Sequence, residues 1–494
     1  MGFYDQMKQQ TDKRKTLTAN GAIAYGTSGK EITDFNFAIS QMRGKSDNSI
    51  QDAFEKVFLN EGAEIASRYA FYVGDCREGV GERKIFRNCM RYLAKNQSKY
   101  AKAVMNLIPE YNRWDSILPM LDYKETADMA IEIIKKQLNS DITNMIAGKP
   151  ISLCAKWMPS VNASSETTKK LANTICKKLG CSQRKYRKRL AKLRAYLNVV
   201  ETKMSDKKWG EIDYSAVPSK ANLIYNNAFL RNDEERRREF LGSLKKGEAK
   251  INAGVLMPDE IIKKYGHSRS GVDETLEELW KNLPQLSTEN NLIVRDGSGS
   301  MIGKPLEVAT ALAIYMSEHN SGEWNGKFVT FSRNPKIVDL SNCETLRDKI
   351  RLCYRENDYS NTDIYKTMML ILNTAIANKI EQDDMPSMIT IISDMQFDGR
   401  NFNLNKSLFD EIREKFEENG YNMPRICFWN VSSIGYGNTI PMQENPFGLI
   451  LCSGYSVQIM NMFLSNKLSP YEVLMDEINK PRYDAVAKAI KSAG

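Results

Sequence analysis

The sequence predicts a multidomain α plus α/β protein: a long all-helical module followed by a Rossmann-like α/β domain with a mostly parallel, doubly wound sheet. Two observations carry that prediction. From about Ser49 to Leu283 apolar residues recur at three- and four-residue steps, and from about Glu289 short apolar runs alternate with amphipathic stretches. The first period buries one stripe of each helix. The second is the pattern of buried strands joined by crossover helices. At 494 residues, 42% hydrophobic and 27% charged, the chain has material for several cores.

In the helical half, Ala53, Val57 and Phe58 lead to Ile65 and Tyr69, and Met129, Ile131, Ile133, Ile134 and Leu138 repeat the pattern. Breakers separate the helices at Gly74-Asp75, Gly79, Gly81, Pro109, Pro119, Gly148-Lys149-Pro150, Pro159, Gly180 and Pro218. Many helices on short loops suggest stacked helix pairs in a ring or arc, as in HEAT-like repeats. No internal repeat stands out in the text.

The α/β half reads in order. A strand at Asn291–Val294 is followed by a helix from Pro305 to His319 and paired strands at Lys327–Phe331 and Lys336–Val338. A helix from Asp363 to Lys379 leads to a strand at Met388–Ile392. A helix at Phe409–Glu418 then precedes strands at Arg425–Trp429 and Gly448–Leu451. The expected partition is a polar segment over 1–17, the helical module over 18–285, the α/β domain over 286–464 and a C-terminal helix over 465–494. No Gly/Ser-rich spacer follows Asn282-Leu283-Pro284-Gln285, so a short, stiff link is expected.

Three polar groups fall where an open α/β sheet binds ligands, beyond the carboxyl ends of strands. They are Asp296-Gly297-Ser298-Gly299-Ser300 after the first strand, Asn361-Thr362-Asp363 before a helix, and Ser393-Asp394 after the strand at 388–392. Asp296, Ser298, Ser300, Thr362 and Asp394 together offer hydroxyl and carboxylate oxygens on three loops. Mg²⁺ takes near-octahedral oxygens at roughly 2.0–2.1 Å and keeps several waters, which suits such a set. Asp363 and Asp398 are nearby alternates. Ser300 and Thr362 read equally as helix caps.

The texts DGSGSM, NTD and IISD resemble the metal-ion-dependent adhesion site of von Willebrand A domains. That resemblance implies direct ligation by Ser298, Ser300 and Thr362, with Asp296 and Asp394 acting through water, and an open position that a protein partner's carboxylate fills. Two residues depart from the family pattern. Arg295 stands where an apolar residue is common, and Asn361 where Gly is. No activated nucleophile or general base stands in these motifs, so a non-enzymatic role is expected; a water activated on the metal beside Asp394 is the minor alternative.

Thr18-Ala19-Asn20-Gly21-Ala22, Gly81-Glu82-Arg83 and Tyr111-Asn112-Arg113-Trp114-Asp115 resemble the TROVE module of Ro ribonucleoproteins, which pairs a ring of helical repeats with a von Willebrand A domain. A closer resemblance, to a TROVE-like family known as a domain of unknown function, runs through Lys156–Ser160, Tyr186–Leu190, Val217–Lys220, Ser393–Asp398, Phe428–Asn430 and Ser453–Ser456. It spans almost the whole chain. Ro proteins bind RNA with the helical ring, so the resemblance implies RNA as a partner.

The residues add one observation of their own. Along Gln183–Leu197, Tyr186, Leu190, Leu193 and Leu197 share one stripe. Arg184, Lys185, Arg187, Lys188, Arg189, Lys192 and Arg194 take most of the rest. A charge run is often only a solvated face; a cationic face also binds phosphates, and arginines stack on bases. A second basic set, Arg77, Arg83, Lys84 and Arg87, has Asp75, Glu78 and Glu82 to neutralise it along the helix. The run Asp233–Arg238 reads as a self-compensating, solvated helix.

Other classes recede. The net charge of +9 permits RNA without demanding it. Nothing approaches roughly 18 consecutive apolar residues, so no membrane partner is expected. The polar opening and nine scattered cysteines fit an intracellular, cytoplasmic protein. The two histidines, His267 and His319, leave little for a zinc site. The expectation is a Ro-like RNA-binding protein with a docking domain that bears Mg²⁺ or another divalent cation. The competing class is an interaction scaffold that uses the metal site without RNA.

Overall fold

The computed structural model describes residues 15–266, 271–331, 334–357, 359, 363–399, 407–433 and 438–494. They form two compact units. One is drawn from Met1–Ser49 with Ala253–Lys480, the other from Ile50–Asn252 with Pro481–Gly494.

The first unit is the α/β one. Strands β1 (Lys15–Leu17) and β2 (Ile23–Tyr25) make an antiparallel hairpin. The main sheet uses β3 (Asn291–Asp296), β4 (Lys327–Phe331), β5 (Lys336–Asp339), β6 (Met388–Ser393), β7 (Arg425–Asn430) and β8 (Leu449–Ser453). Their order is β8-β7-β6-β3-β4-β5, parallel throughout except the β4–β5 pair. Every residue of β3 and β6 is buried. Helices cover both faces of such a sheet, which is why these strands read as continuous apolar runs without alternation. Leu292, Val294, Ile389, Ile391, Phe409 and Phe428 lie in its core. The chain leaves β3 towards β4 but leaves β6 towards β7. The strand order therefore reverses between β3 and β6, and a crevice opens at their carboxyl ends.

This unit recruits chain that the sequence partition gave to the helical module. Backbone bridges join Gly21 to Asp398 and Tyr25 to Ile440. The Asn36 amide donates to Leu451 O at 3.3 Å, and the Asn430 amide to Phe37 O at 2.9 Å. The helices Pro258–Gly266 and Glu274–Lys281 also belong here. Lys304 pairs with the buried Asp259, and the Trp280 indole donates to Glu318 at 2.7 Å. Helical periodicity shows that a segment is a helix; it does not show which core receives the apolar stripe.

The second unit is helical. Its long opening segment, Asp47–Gly74, is interrupted at Gly62, where φ is +79°. Phe71 packs edge-on against Phe86 and Tyr111, at 5.3 and 5.1 Å between centroids. A separate core gathers Val200, Ile212, Tyr214, Val217 and Phe229. The expected single C-terminal helix is two. Pro470–Ile478 lies in the α/β unit, and Asp484–Ala493, after Pro481, lies in the helical one. Pro481 forbids one continuous helix, because its ring has no N–H to donate and clashes with the preceding turn. The run Asp233–Arg238 is only partly solvated. Arg237 is fully buried, with its guanidinium on Asn222 and Asn226 and over the ring of Tyr214.

Candidate metal centre and nucleic-acid interface

Asp296 ends β3 and Asp394 follows β6, so the sheet itself brings the two carboxylates to the crevice. Both are buried, at 0% and 4% exposure. The Ser298 N–H donates to Asp296 Oδ1 at 2.9 Å, and the Ser393 hydroxyl donates to Asp296 Oδ2 at 2.6 Å. The Ser298 and Ser300 hydroxyls lie 3.1 Å apart, and Ser300 hydrogen-bonds Asp394. The Gln396 N–H donates to Asp394 Oδ1 at 3.1 Å. Burial, and then the charge of Asp394, push the Asp296 carboxyl up to about 7. Burial raises Asp394 as well. Two buried carboxylates that disfavour each other's charge form an environment that a cation relieves.

Four of the five residues singled out in sequence are thus together: Asp296, Ser298, Ser300 and Asp394. Thr362 and Asn361 lie outside the described residues. The capping alternative fails for Ser300, because the next helix, Lys304–Glu318, has Gly303 at its N-cap position. The helix Ile364–Asn378 is capped by Asp363, whose carboxylate accepts from Lys366 N at 3.1 Å. That cap engages one of the two alternate acids; the other, Asp398, is half-buried in the bridge to Gly21. Among the described residues no group of three or more His, Cys, Asp or Glu side chains is placed to hold a metal. The pocket is a two-carboxylate, hydroxyl-rich one, and its hard oxygens fit Mg²⁺ by chemistry.

Sequence reasoning missed the support around this pocket. Arg295 is fully buried under the loop. It donates to Thr310 Oγ1 at 2.9 Å, to Cys353 O at 3.1 Å and to Asn357 Oδ1. A Cβ on Gly297 would press on the Asn357 Oδ1 at 3.0 Å and on the Arg295 guanidinium at 3.4 Å, the side chains that support this loop. Met395, buried beside Asp394, holds a left-handed φ of +64°. Such strain in a non-glycine residue persists where the surroundings over-determine it. Gln396, 1% exposed, accepts from Ala19 N at 2.6 Å, and its carbonyl accepts from Asn20 at 2.7 Å. The Thr18–Ala22 text therefore buttresses the Asp394 loop. The one available signal was its pairing of small and turn-forming residues, which marks a close approach but names no partner.

On the helical unit, Gln183–Leu197 is a helix capped by Ser182. Tyr186, Leu190 and Leu193 are buried, and Arg184, Lys185, Arg187, Lys188 and Lys192 are exposed. None of these five makes an ion pair among the described residues. Arg194 is different: it donates to Ala155 O, Ser160 Oγ and Met158 O at 2.7–2.8 Å. Its guanidinium clamps the preceding loop, which takes up its donors. Arg189 bonds Asn139. In the second basic set the Arg77 guanidinium donates to the Glu110 carbonyl at 2.7 Å. Arg87 pairs with Asp115 at 2.9 Å, and Asp75 pairs instead with Arg482.

Fold and sites together define a class: a helical unit with a bare cationic helix, joined in one chain to a doubly wound α/β unit with an acid-and-hydroxyl crevice. Two family models match consecutive stretches of the chain, Domain of unknown function (DUF2828) over residues 121–289 and Domain of unknown function (DUF7788) over 290–491. Uncharacterized protein L728 of Acanthamoeba polyphaga mimivirus is 30% identical over 501 residues, covering 93% of this chain and 86% of that protein. The chain belongs to the family of that viral protein. Among solved structures, the crystal structure of Deinococcus radiodurans RO (RSR) protein is similar at a TM-score of 0.49 and 12% identity, covering 94% of this chain and 100% of that one. The likeness to a Ro protein is remote. Among the described residues no helix is long and apolar enough to cross a membrane.

Proposed function

We propose that the protein is a non-enzymatic RNA-binding protein. Its helical unit, read as a TROVE-like repeat module, holds RNA by its phosphates. Its α/β unit, read as a von Willebrand A-like domain, holds Mg²⁺ and docks a protein partner through a carboxylate. The observation that carries the RNA reading is the row of five exposed cations on one helix with no acidic partner among the described residues. On a protein of net charge +9, Arg87, Arg236 and Arg238 by contrast are paired with Asp115, Asp233 and Glu234. Bare positive charge concentrated on one rigid face is what a polyanion neutralises.

The experiment is RNA binding against salt. Phosphate contacts release counterions, so log affinity falls linearly with log salt, by about 0.7 per phosphate for a single strand. Arg184, Lys188 and Lys192 lie one turn apart along the exposed face. Replacing all three with Gln should weaken binding and flatten the slope by roughly two units. Unchanged affinity and slope return this helix to a solvated surface. No binding by the wild type at low salt removes the RNA reading and leaves the metal-dependent scaffold.

The metal reading rests on a separate observation, the convergence of Asp296, Ser298, Ser300 and Asp394 at the switch point of the sheet. A hydroxyl-rich pocket with two acids leaves coordination positions for water or for a partner's carboxylate.

A further inference from the structure

A cavity of about 130 Å³ opens beside the cationic helix. Its floor is Tyr186, Leu190 and Ala191, Arg187 stands at its side, and Ser160 and Asn162 face them from the loop. The walls are fixed from inside. Arg194 holds Ser160 Oγ at 2.8 Å, and the Tyr186 hydroxyl donates to Pro159 O at 3.1 Å. The volume falls below the roughly 300–1,000 Å³ of sites for drug-sized ligands. It is close to the roughly 150 Å³ cavity that admits a single benzene ring. The volume is on the scale of one flat six-membered ring.

The surroundings select among flat rings. Arg187 lines the cavity, and the exposed Arg184 and Lys188 lie one turn from Arg187 and Ala191 along the same helix. Asn162 is exposed and makes no hydrogen bond in the structure, which leaves its amide donor and acceptor for a ring edge. A planar group with polar edges, attached to a polyanion, matches this arrangement. An unstacked base of a single strand has that chemistry, and arginine planes pack on such bases.

We propose that the cavity between helix Gln183–Leu197 and the Ser160–Asn162 loop receives one pyrimidine-sized base of single-stranded RNA, with the flanking phosphates on Arg184, Arg187 and Lys188. This rests on the RNA reading above and deepens it, because it adds base capture to phosphate contact. The base enters flat against Leu190 and Ala191, and Asn162 and Ser160 meet its edge. Duplex RNA cannot use the cavity, since its bases are stacked and paired.

The test uses the full-length protein with two probes: a ten-nucleotide oligouridylate, and a ribose-phosphate strand of equal length without bases. Ala191→Leu fills the cavity from an exposed helix position without changing charge. The wild type should bind oligouridylate about tenfold more tightly than the abasic strand, the scale of one captured base. Ala191→Leu should lose that preference and keep the salt slope of the wild type. Asn162→Ala, at an exposed loop position with no bonds to lose, should reduce the preference too and serves if the first variant misfolds. Equal binding of both probes by the wild type overturns base capture while leaving the phosphate reading intact. A preference unchanged in both variants overturns this cavity as its location. Binding of neither probe at low salt overturns the RNA reading and this inference with it.

Discussion

Gly399 and Gly21 meet backbone to backbone: a Cβ built on Gly399 would lie 2.3 Å from the Gly21 carbonyl oxygen. The neighbouring Gly399 N–H donates to Asn20 O at 2.8 Å, and the Thr18 hydroxyl donates to Phe397 O at 2.7 Å. The opposing atom at Gly399 is main chain, which cannot swing aside. Gly399→Ala is therefore expected to destabilise the α/β unit by about 1–3 kcal/mol, the range for overpacking. Gly254→Ala is the control, because a Cβ there meets nothing within 4 Å. Urea denaturation of both variants reads the difference. Equal midpoints would show that the N-terminal segment does not dock here.

In the helical unit the corresponding tie is ionic. Asp75 is fully buried, and Arg482, 16% exposed at its side chain, reaches both of its oxygens. The Arg77 N–H, at 3.0 Å, adds to this anchor. Removing one partner of a buried pair strands the other charge. Arg482→Ala should cost about 3–5 kcal/mol. Arg482→Lys should fall between that and wild type, since an ammonium cannot form the guanidinium fork. Thermal melting followed by circular dichroism checks the order. An alanine variant that melts with the wild type would show that the C-terminal segment is not held this way.

The strands of the main sheet were legible because each is buried on both faces and so reads as an apolar run. That Asp296, Ser298, Ser300 and Asp394 come together was legible because they follow strands of an open α/β sheet, whose carboxyl ends gather at one edge. What stayed hidden has a common cause. Thr18–Ala22 and Gln396 act on each other across hundreds of residues, and Asp259 acts on a lysine in another helix; neither period nor composition carries that information. Arg194 and Arg237 show the limit from the other side. In sequence they are indistinguishable from Lys188 or Arg238, and only packing reveals that one clamps a loop and the other is buried.

Arg295 supplies a prediction about the loop it supports. Its guanidinium spans Thr310, the Cys353 carbonyl and Asn357, three acceptors in different directions. Burial lowers its pKa, so the charge is held at a cost that the hydrogen bonds offset. Lysine offers a point charge in place of a planar fork and cannot reach all three. Arg295→Lys should lower stability by about 2 kcal/mol or more, as buried acceptors go unmatched. Arg295→Met removes the buried charge but leaves all three acceptors unmatched, so it should cost at least as much. A lysine variant as stable as wild type would mean that the fork is not what fixes this loop.

The crevice itself makes a prediction in pH. The Asp296 carboxyl sits near 7 in the folded protein against 3.8 for an unperturbed one. A group raised on folding contributes stability that is fully present below about pH 3.8 and is lost as pH rises through about 7. For this group the metal-free protein is therefore more stable at pH 6 than at pH 8. Mg²⁺ acts in the opposite sense, because it needs the ionised carboxylates and displaces the proton. Its stabilisation, about 2.7 kcal/mol at a hundredfold excess over the dissociation constant, should be larger at pH 8 than at pH 6. Melting at both pH values, with and without Mg²⁺, measures the linkage. Ser298→Ala with Ser300→Ala should abolish the Mg²⁺ response while the metal-free protein stays folded. Asp394→Asn removes the charge that helps raise Asp296, so it should lose the Mg²⁺ response and flatten the pH dependence of the metal-free form. A Mg²⁺ shift that is equal at the two pH values, or that survives the serine double variant, would place the cation elsewhere than this crevice.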